Sequence, residues 1–451
     1  MEREKFGSRL GFLLLSAGCA IGIGNVWKFP YMVGSNGGGI FVLFYLFFLA
    51  IIGVPVLSME LAIGRASRKS TVRAYEVLEK PGQKWHIHGW IAMIGNYLLM
   101  MFYTVVAGWM LYYFFSFLTG KFQQLSAEQV TGYFGEMLGS WGILVGTMLL
   151  VTAAGFLVCS FGLQNGVERV TKWMMLALLV TMVFLAFYSF TMPGASNGLK
   201  FYLVPDIGKV EELGIGKIIT AAMNQAFFTL SLGIGAMLIF GSYLDQGKTL
   251  LGESIQIACL DTFVALVSGM IIFPACFSFG VQPDSGPSLI FITLPHIFTS
   301  MEHGRIFGSF FFLFLFFASF STVIAVFENI LSCFRDLVPC SRKKAALLNC
   351  ILVAVGSLPC ALGYNLWSSF QPLGKGSSVL DLEDFLVSNL LLPIGSLIYL
   401  LFCISRRGWG FENYQAEANR GEGIRISNRI KGYLKYILPL LIVILIVQGL
   451  C

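Results

Sequence analysis

Charge is what this sequence has least of. Only 12% of its 451 residues are Asp, Glu, Lys or Arg, whereas 56% are hydrophobic, and the mean hydropathy is +0.77. A soluble domain carries about 25% charged residues. Long uncharged apolar segments cross a bilayer as helices, because helices satisfy their own backbone hydrogen bonds. The composition therefore predicts an all-α integral membrane protein and excludes an ordinary soluble domain.

Paired cysteines and catalytic motifs are also lacking. The ten cysteines lie in apolar runs or at their ends, without a CxxC, and the four histidines show no metal-ligand spacing. A disulfide framework and a zinc site are therefore not expected. No Ser, His and Asp grouping, HExxH or phosphate-binding GxxxxGK occurs, so we do not expect an enzyme.

Apolar runs of about 20 residues, the length that crosses a bilayer, are the main feature that is present. We count eleven of them: 10-33, 40-63, 88-118, 141-160, 167-191, 216-243, 254-281, 306-334, 346-364, 382-404 and 434-450. The first run continues into a glycine-rich stretch without a cleavage-site pattern, so we do not expect it to be a removed signal peptide.

The basic residues predict the orientation. If the N-terminus is inside, 23 of the 30 Lys and Arg residues fall on the inner side. This is the positive-inside bias, and with eleven spans the C-terminus lies outside. The net charge of +6 is thus a topology signal and gives no support for nucleic-acid binding. The richest inner stretches, 65-84 and 406-435, are expected to hold topology and contact anionic lipid.

A short glycine-containing motif occurs twice in the sequence. The sequence "IGIG" at 21-24 returns as "LGIG" at 232-235, five spans later. An odd offset inverts the second copy, which predicts an inverted repeat of spans 1 to 5 (10-191) and 6 to 10 (216-404). Glycine-interrupted spans in matching positions are typical of a transporter binding site. The alternative is close helix packing through small residues.

Polar residues accompany these two interruptions. A broken helix at 20-24 frees carbonyl oxygens, and Asn25, Thr229, Ser321 and Thr322 add neutral oxygens of the kind that hard cations prefer. Asp261 lies inside the seventh run with no basic residue within a turn, which favours a cation ligand. Each hydroxyl taken alone is more often part of an ordinary helix-helix hydrogen bond or of a hydrogen bond to its own helix.

Long motifs carry a family resemblance. The stretches "RLGFLLLSAGCAIGIGNVWKFPYMVGSNGGGIF", "FYTVVAGWMLYY", "NQAFFTLSLGIGAM", "GPSLIFITLP" and "FFASFSTVIAVFENI" resemble the neurotransmitter:sodium symporter family from residue 3 to about 404. The resemblance implies the LeuT-type 5+5 inverted repeat with discontinuous helices 1 and 6. It also implies a short inner N-terminal latch (1-9), an outer loop (192-215), an inner loop (405-433) and an eleventh span (434-451). A bacterial cytoplasmic membrane is the implied location.

The resemblance implies a site for a hydrophobic L-amino acid and two sodium ions. For one sodium it implies the carbonyls of Ala20 and Thr229 with the side chains of Asn25, Thr229 and Asp261. For the other it implies the carbonyls of Gly18, Ile21 and Ala318 with the hydroxyls of Ser321 and Thr322. The substrate would contact Ala20, Gly24, Leu99, Tyr103, Phe228, Thr229, Ser231, Ile234, Thr322 and Val326. Tyr103 would bind the carboxylate and Phe228 would close as a lid, although both are otherwise ordinary packing aromatics.

The resemblance also implies two gates. Lys28 and Asp384 match the extracellular gate pair of the family. Arg is usual at the position of Lys28, and Lys cannot form bidentate hydrogen bonds to a carboxylate. Arg3 and Asp336 match an inner latch pair, accompanied by Phe6 where Trp is usual and by Ser242 and Tyr243. Arg3 is also consistent with a plain topology charge.

Two finer expectations concern ions and cargo. Chloride-dependent relatives have Asn where Asp261 stands and Ser where Ala265 stands, so chloride independence is expected. A pocket faced by Ile234 and Val326 would leave a charged side chain unpaired, so the cargo is expected to be neutral and hydrophobic. A sodium-dependent amino-acid sensor or a channel on the same fold is the alternative.

Overall fold

The computed structural model is helical throughout its regular structure and describes residues 4-123, 125-280 and 288-450. We number its α-helices and the π-helical turns continuous with them together. They are α1 (Arg9–Ala20), α2 (Gly24–Ser35), α3 (Gly39–Ser67), α4 (Thr71–Leu78), α5 (His86–Leu118), α6 (Ala127–Gly139), α7 (Trp141–Ser160), α8 (Leu163–Phe190), α9 (Ala195–Leu203), α10 (Ile207–Leu213), α11 (Ile215–Phe228), α12 (Ala236–Tyr243), α13 (Leu250–Ser278), α14 (Leu289–Thr299), α15 (Gly304–Leu337), α16 (Arg342–Leu362), α17 (Val379–Ile404), α18 (Phe411–Ala418) and α19 (Asn428–Gly449).

The long helices coincide with the apolar runs. Within the described residues, nine helices are long and apolar enough to cross a membrane, and α1 with α2 forms a further, bent candidate. The run at 216-243 is divided between α11 and α12, which are too short to cross singly. The count of eleven spans and the proposed division of the chain therefore stay predictions.

Both expected interruptions are present. Helix α1 ends at Ala20, α2 begins at Gly24, and the two are bent by 57°. Helix α11 ends at Phe228 and α12 begins at Ala236, with residues 229-235 in turns between them. Each interruption exposes the last carbonyls of one helix and the first amides of the next, which need other partners.

Burial differs strongly among the long helices. In the most apolar window of α15, 78% of residues are buried, against 72% for α5 and 22% for α19. Helices α5 and α15 therefore form the centre of the molecule, while α19 lies at its edge with Leu440, Val443 and Val447 exposed. The interrupted helix α1 packs against α15, α13 and α8. The two helix breaks thus lie in the protein interior, where irregular backbone is tolerated.

We call the side that carries residues 4-8 the inner side. Helix α18 docks there on α3, because Arg65 at the inner end of α3 forms a buried 2.7 Å ion pair with Glu417 of α18. The Arg65 guanidinium also donates to the carbonyls of Lys248 and Glu417. The loop between α17 and α19 is therefore fixed to the inner end of α3.

Candidate functional site

A cavity of about 320 Å³ lies where the two helix breaks meet. Tyr103 and Thr322 reach it from the central helices α5 and α15. Of the predicted substrate-contact residues, eight line it: Ala20, Gly24, Leu99, Tyr103, Phe228, Thr229, Ser231 and Thr322. Ile234 and Val326 are fully buried but do not line it in this conformation. The breaks and the central helices thus enclose a volume of the size typical of a small-molecule site.

The first break faces the Tyr103 hydroxyl. The backbone amide of Ile23 donates to Tyr103 Oη at 3.0 Å. A Cβ on Gly22 would lie 2.3 Å from the same oxygen and 2.9 Å from Thr322 Oγ1. Glycine is therefore required at position 22, because only a residue without a side chain lets the helix break approach both hydroxyls.

The second break contains residues with a positive φ, a conformation that is unfavourable for residues with a side chain. Gly233 has φ +104°, and a Cβ there would lie 2.0 Å from the carbonyl oxygen of Leu392 on α17. Ser231, which lines the cavity, also has a positive φ of 51°. Such conformations cost of order 1–3 kcal/mol in a residue with a side chain and are found at functional sites.

One polar cluster contains three of the residues predicted for the first sodium site. Asn25 Nδ2 donates to Asp261 Oδ1 at 2.8 Å, and Thr229 Oγ1 donates to Asp261 Oδ2 at 2.9 Å. All three side chains are almost wholly buried. Asn25 Oδ1 has no hydrogen-bond partner among the described residues, and Asp261 has no basic partner there. The cluster therefore offers a buried carboxylate and an oxygen atom without a hydrogen-bond partner, and both are suitable ligands for a sodium ion.

A second cluster joins α1 and the first break to α15. Ser321 Oγ donates to the carbonyls of Gly18 and Ala318 at 2.8 and 2.9 Å. Thr322 Oγ1 lies 3.3 Å from the carbonyl oxygen of Ile21. The five groups predicted for the second sodium site thus lie together, and all are uncharged oxygens suited to a hard cation. Thr322 also reaches the carbonyl of Cys19 at 3.4 Å, a neighbour that the sequence did not indicate.

The two residues of the predicted extracellular gate each contact another partner. Lys28 and Asp384 line the same cavity, yet no ion pair joins them within the described part of the chain. Lys28 Nζ instead lies 3.7 Å from the centroid of the Phe228 ring, and Asp384 Oδ1 accepts from Ser388 Oγ at 2.7 Å. In this conformation the predicted gate lysine contacts the predicted lid, and the role of the pair as a gate stays a prediction.

The predicted inner latch is described in part. Arg3 lies outside the described residues, so its pairing with Asp336 has no structural account. Asp336 Oδ2 accepts from the amide of Ser70 at 2.9 Å, and the rings of Phe6 and Tyr243 meet edge to face at 5.8 Å. The predicted latch residue Ser242 is buried, and its hydroxyl donates to the carbonyl of Ile239 at 2.6 Å.

Two buried glutamates went unnoticed in the sequence. Glu328 on α15 is fully buried, accepts from Tyr243 Oη at 2.7 Å and forms an ion pair with Arg342. Glu60 on α3 is fully buried, and its Oε1 accepts from the amide of Gly233 at 2.5 Å. Both lie in apolar runs, so the rule that singled out Asp261 would have identified them too.

Gln225 is a further residue that the sequence did not indicate. Its Nε2 donates to the carbonyl of Gly24 at 3.1 Å, which joins α11 to the first break. Glutamine is common enough in helices that its position alone carried no signal.

Comparison with known proteins gives the family. The model of the sodium:neurotransmitter symporter family matches residues 3–132 and 124–451. The chain belongs to this family. It is 35% identical to an uncharacterized sodium-dependent transporter of Bacillus subtilis over 88% of this chain and 87% of the relative. It is also 33% identical to one from Methanocaldococcus jannaschii, over 90% and 82% of the two chains.

A solved structure supports the fold. A crystal structure of MhsT in complex with L-phenylalanine superposes with a TM-score of 0.88 and 34% identity, covering 99% of this chain and 100% of that one. The predicted LeuT-type, all-helical membrane fold is therefore confirmed, as is the prediction that the chain is not an enzyme. As a family member it is a multi-pass, sodium-dependent membrane transporter.

Proposed function

We propose that this symporter imports a neutral hydrophobic L-amino acid together with two sodium ions and does not require chloride. One observation carries the proposal: two buried oxygen clusters lie at the helix breaks, and these breaks border one cavity. We further propose that it works in a bacterial cytoplasmic membrane with its N-terminus inside and its C-terminus outside, as the basic residues favour.

The cavity chemistry supports an amino acid as cargo. Amides of the broken helices, such as that of Ile23, and the hydroxyl of Tyr103 are donors suited to a carboxylate. Leu99 and Phe228 give the cavity apolar walls, and among the described residues Lys28 and Asp384 are the only charged ones that line it. An acidic or basic substrate side chain would be desolvated without a partner, which costs several kcal/mol. MhsT, which shares this fold, has been crystallised with L-phenylalanine.

The oxygen clusters support coupling to sodium. The Asp261 carboxylate would contact one sodium ion, and the Asn25 oxygen without a partner would turn to it. Because that charge is fixed in the protein, no added anion is needed to balance the cation. A second ion among Gly18, Ser321 and Thr322 would hold α1 against α15. Departure of that ion would free α1 to move, which is how we expect alternating access to begin.

Uptake into proteoliposomes tests the proposal. A panel of radiolabelled amino acids is offered with and without an inward sodium gradient, and then with chloride replaced by gluconate. We expect a few hydrophobic amino acids to accumulate. Their accumulation should require the sodium gradient and should not change when chloride is replaced. Sodium-dependent binding without accumulation would overturn transport in favour of a sensor, and collapse in gluconate would overturn chloride independence.

A further inference from the structure

Three buried polar side chains join the second helix break to the central helices. They belong to Thr71, the first residue of α4, Asn96 on α5 and Asn329 on α15, and at most 1% of the surface of each residue is exposed. None of the three lines the cavity. All five of their side-chain nitrogen and oxygen atoms have hydrogen-bond partners. We call these three residues the amide bridge.

The hydrogen bonds of the amide bridge have a defined direction. Asn96 Nδ2 donates to the carbonyl of Ile234 at 2.8 Å and to a carbonyl of its own helix at 2.7 Å. Its Oδ1 therefore faces away from the break and accepts from Asn329 Nδ2 at 3.1 Å. Asn329 Oδ1 then accepts from Thr71 Oγ1 at 3.0 Å, and the same hydroxyl lies 3.0 Å from the carbonyl oxygen of Gly235. The bridge thus binds two successive carbonyls of the second break.

The backbone that the bridge holds is irregular. Ser231, Gly233 and Gly235 have positive φ angles of 51°, 104° and 73°. Such a conformation is strained in a residue with a side chain, as Ser231 is. A Cβ on Gly235 would lie only 2.7 Å from Thr71 Oγ1, so glycine is what lets this hydroxyl reach the break. Because a fully satisfied buried polar network specifies one arrangement, the bridge fixes the end of this segment that precedes α12.

Ile234 is the side chain whose position follows from the bridge. Its carbonyl is bonded by Asn96, and its side chain packs on α5, where a Cβ on Gly95 would lie 3.2 Å from Ile234 Cγ2. Ile234 is fully buried, and three residues earlier Ser231 lines the cavity. The cavity wall and the groups bonded by the bridge therefore belong to one short piece of backbone.

We propose that the amide bridge determines which sizes of substrate side chain the transporter accepts, because it holds residues 231-235 as a rigid wall. This inference rests on the proposed hydrophobic amino-acid cargo. A rigid wall penalises a bulky side chain, since overpacking forces neighbouring atoms out of place. A wall that can move reduces this penalty for a large side chain and changes little for a small one. The three bridge residues are thus positioning residues, and breaking the bridge favours large substrates over small ones.

Competition binding measures this selectivity. Purified protein in detergent binds radiolabelled phenylalanine in the presence of sodium, and unlabelled leucine or tryptophan displaces it. The measured quantity is the half-inhibitory concentration of leucine divided by that of tryptophan. Asn96→Leu and Thr71→Val leave side chains of similar shape and remove hydrogen bonds to the break. Each is expected to raise the ratio by roughly 2- to 10-fold, the factor that corresponds to one lost hydrogen bond.

Two further variants are matched controls. Thr71→Ser keeps the hydroxyl and should keep the wild-type ratio. Asn349→Leu removes an equally buried amide on α16 that bonds the Tyr97 hydroxyl and the carbonyl of Ala345, away from the bridge. It should also keep the wild-type ratio, although its melting temperature should fall as that of Asn96→Leu does. The ratio therefore separates positioning of the wall from a general loss of stability.

The outcomes separate this inference from the proposed function. An unchanged ratio in either Asn96→Leu or Thr71→Val, with sodium-dependent phenylalanine binding retained, overturns the role of the bridge and leaves the symporter standing. An equal rise of the ratio in Asn349→Leu overturns it too. If Asn96→Leu does not fold, the comparison of Thr71→Val with Thr71→Ser decides the question. If wild type binds none of the three amino acids, the proposed cargo is wrong and the inference falls with it.

Discussion

The Lys28 ammonium lies 3.7 Å from the centroid of the Phe228 ring, directly over the aromatic residue proposed to close the cavity. Both residues line that cavity, and Asp384, the expected partner of Lys28, is bonded to Ser388 instead. A cation over an aromatic face is worth about 0.5–2 kcal/mol, depending on how far it is desolvated. Lys28 therefore stabilises the position that the Phe228 ring has in this conformation.

Replacing Lys28 by Met should accelerate substrate release. Loss of about 0.5–2 kcal/mol corresponds to a release rate of radiolabelled phenylalanine that is roughly 2- to 30-fold higher. In Phe228→Leu the ring is absent, so adding Lys28→Met should change release little further. Lys375→Met, an exposed lysine, should behave as wild type. Fully additive effects of the two changes would contradict the contact, because a double-mutant cycle isolates their interaction.

Asp261→Asn should weaken sodium coupling. The substitution keeps the shape that bonds Asn25 and Thr229 but removes the buried charge. A lost interaction with a charged group costs about 1.5–3 kcal/mol, so the sodium concentration for half-maximal uptake should rise by roughly ten-fold or more. Exposed Asp206 gives the control Asp206→Asn. An unchanged sodium dependence would remove Asp261 from the cation site.

Thr322→Val should affect the second oxygen cluster. The change keeps the volume of the side chain but removes the hydroxyl that lies beside the carbonyls of Gly18 and Ile21. Uptake measured against sodium concentration should lose its sigmoidal shape, because only one ion would still be coupled. Thr181→Val removes an exposed hydroxyl on α8 and should change nothing. A sigmoidal curve that survives in Thr322→Val would speak against a cation at this cluster.

Hydropathy and glycine position were enough to predict the long apolar helices and both breaks. Apolar length is a local property, so runs such as 88-118 coincide with helices such as His86–Leu118. The interruptions at Ile21 and Gly233 were also readable locally, because glycine in two matching spans indicates irregular backbone. The cluster of Asn25, Thr229 and Asp261 required the family resemblance, since these residues are far apart in the chain.

Side-chain direction across helices could not be predicted. Lys28 can contact either a carboxylate or an aromatic face. Which of the two it contacts depends on differences of a few ångströms in the distances between α2, α11 and α17. Such contacts depend on tertiary packing, which overrides what any one segment prefers.

Gly233→Ala should destabilise the protein markedly. The new methyl group would lie 2.0 Å from the Leu392 carbonyl, and the residue would keep φ +104°. The backbone strain alone costs of order 1–3 kcal/mol, so the melting temperature in detergent should fall by several degrees. Gly216→Ala is the control, because nothing lies within 4 Å of a Cβ there and alanine favours helix α11. Equal melting temperatures for the two variants would contradict this account of the second break.

Breaking the Arg65 and Glu417 pair should detach α18 from α3. Both side chains are buried and 2.7 Å apart, and removing one partner leaves an uncompensated buried charge at a cost of about 3–5 kcal/mol. Glu417→Gln should therefore lower the melting temperature and make the 405-433 loop more sensitive to protease. Exposed Glu412, paired with Lys431 at 2.6 Å in the same loop, gives the control Glu412→Gln. Since exposed pairs contribute only about 0–1 kcal/mol, that control should lose little stability. If both variants lost the same amount, the loop would not depend on the buried pair for its attachment to the inner end of α3.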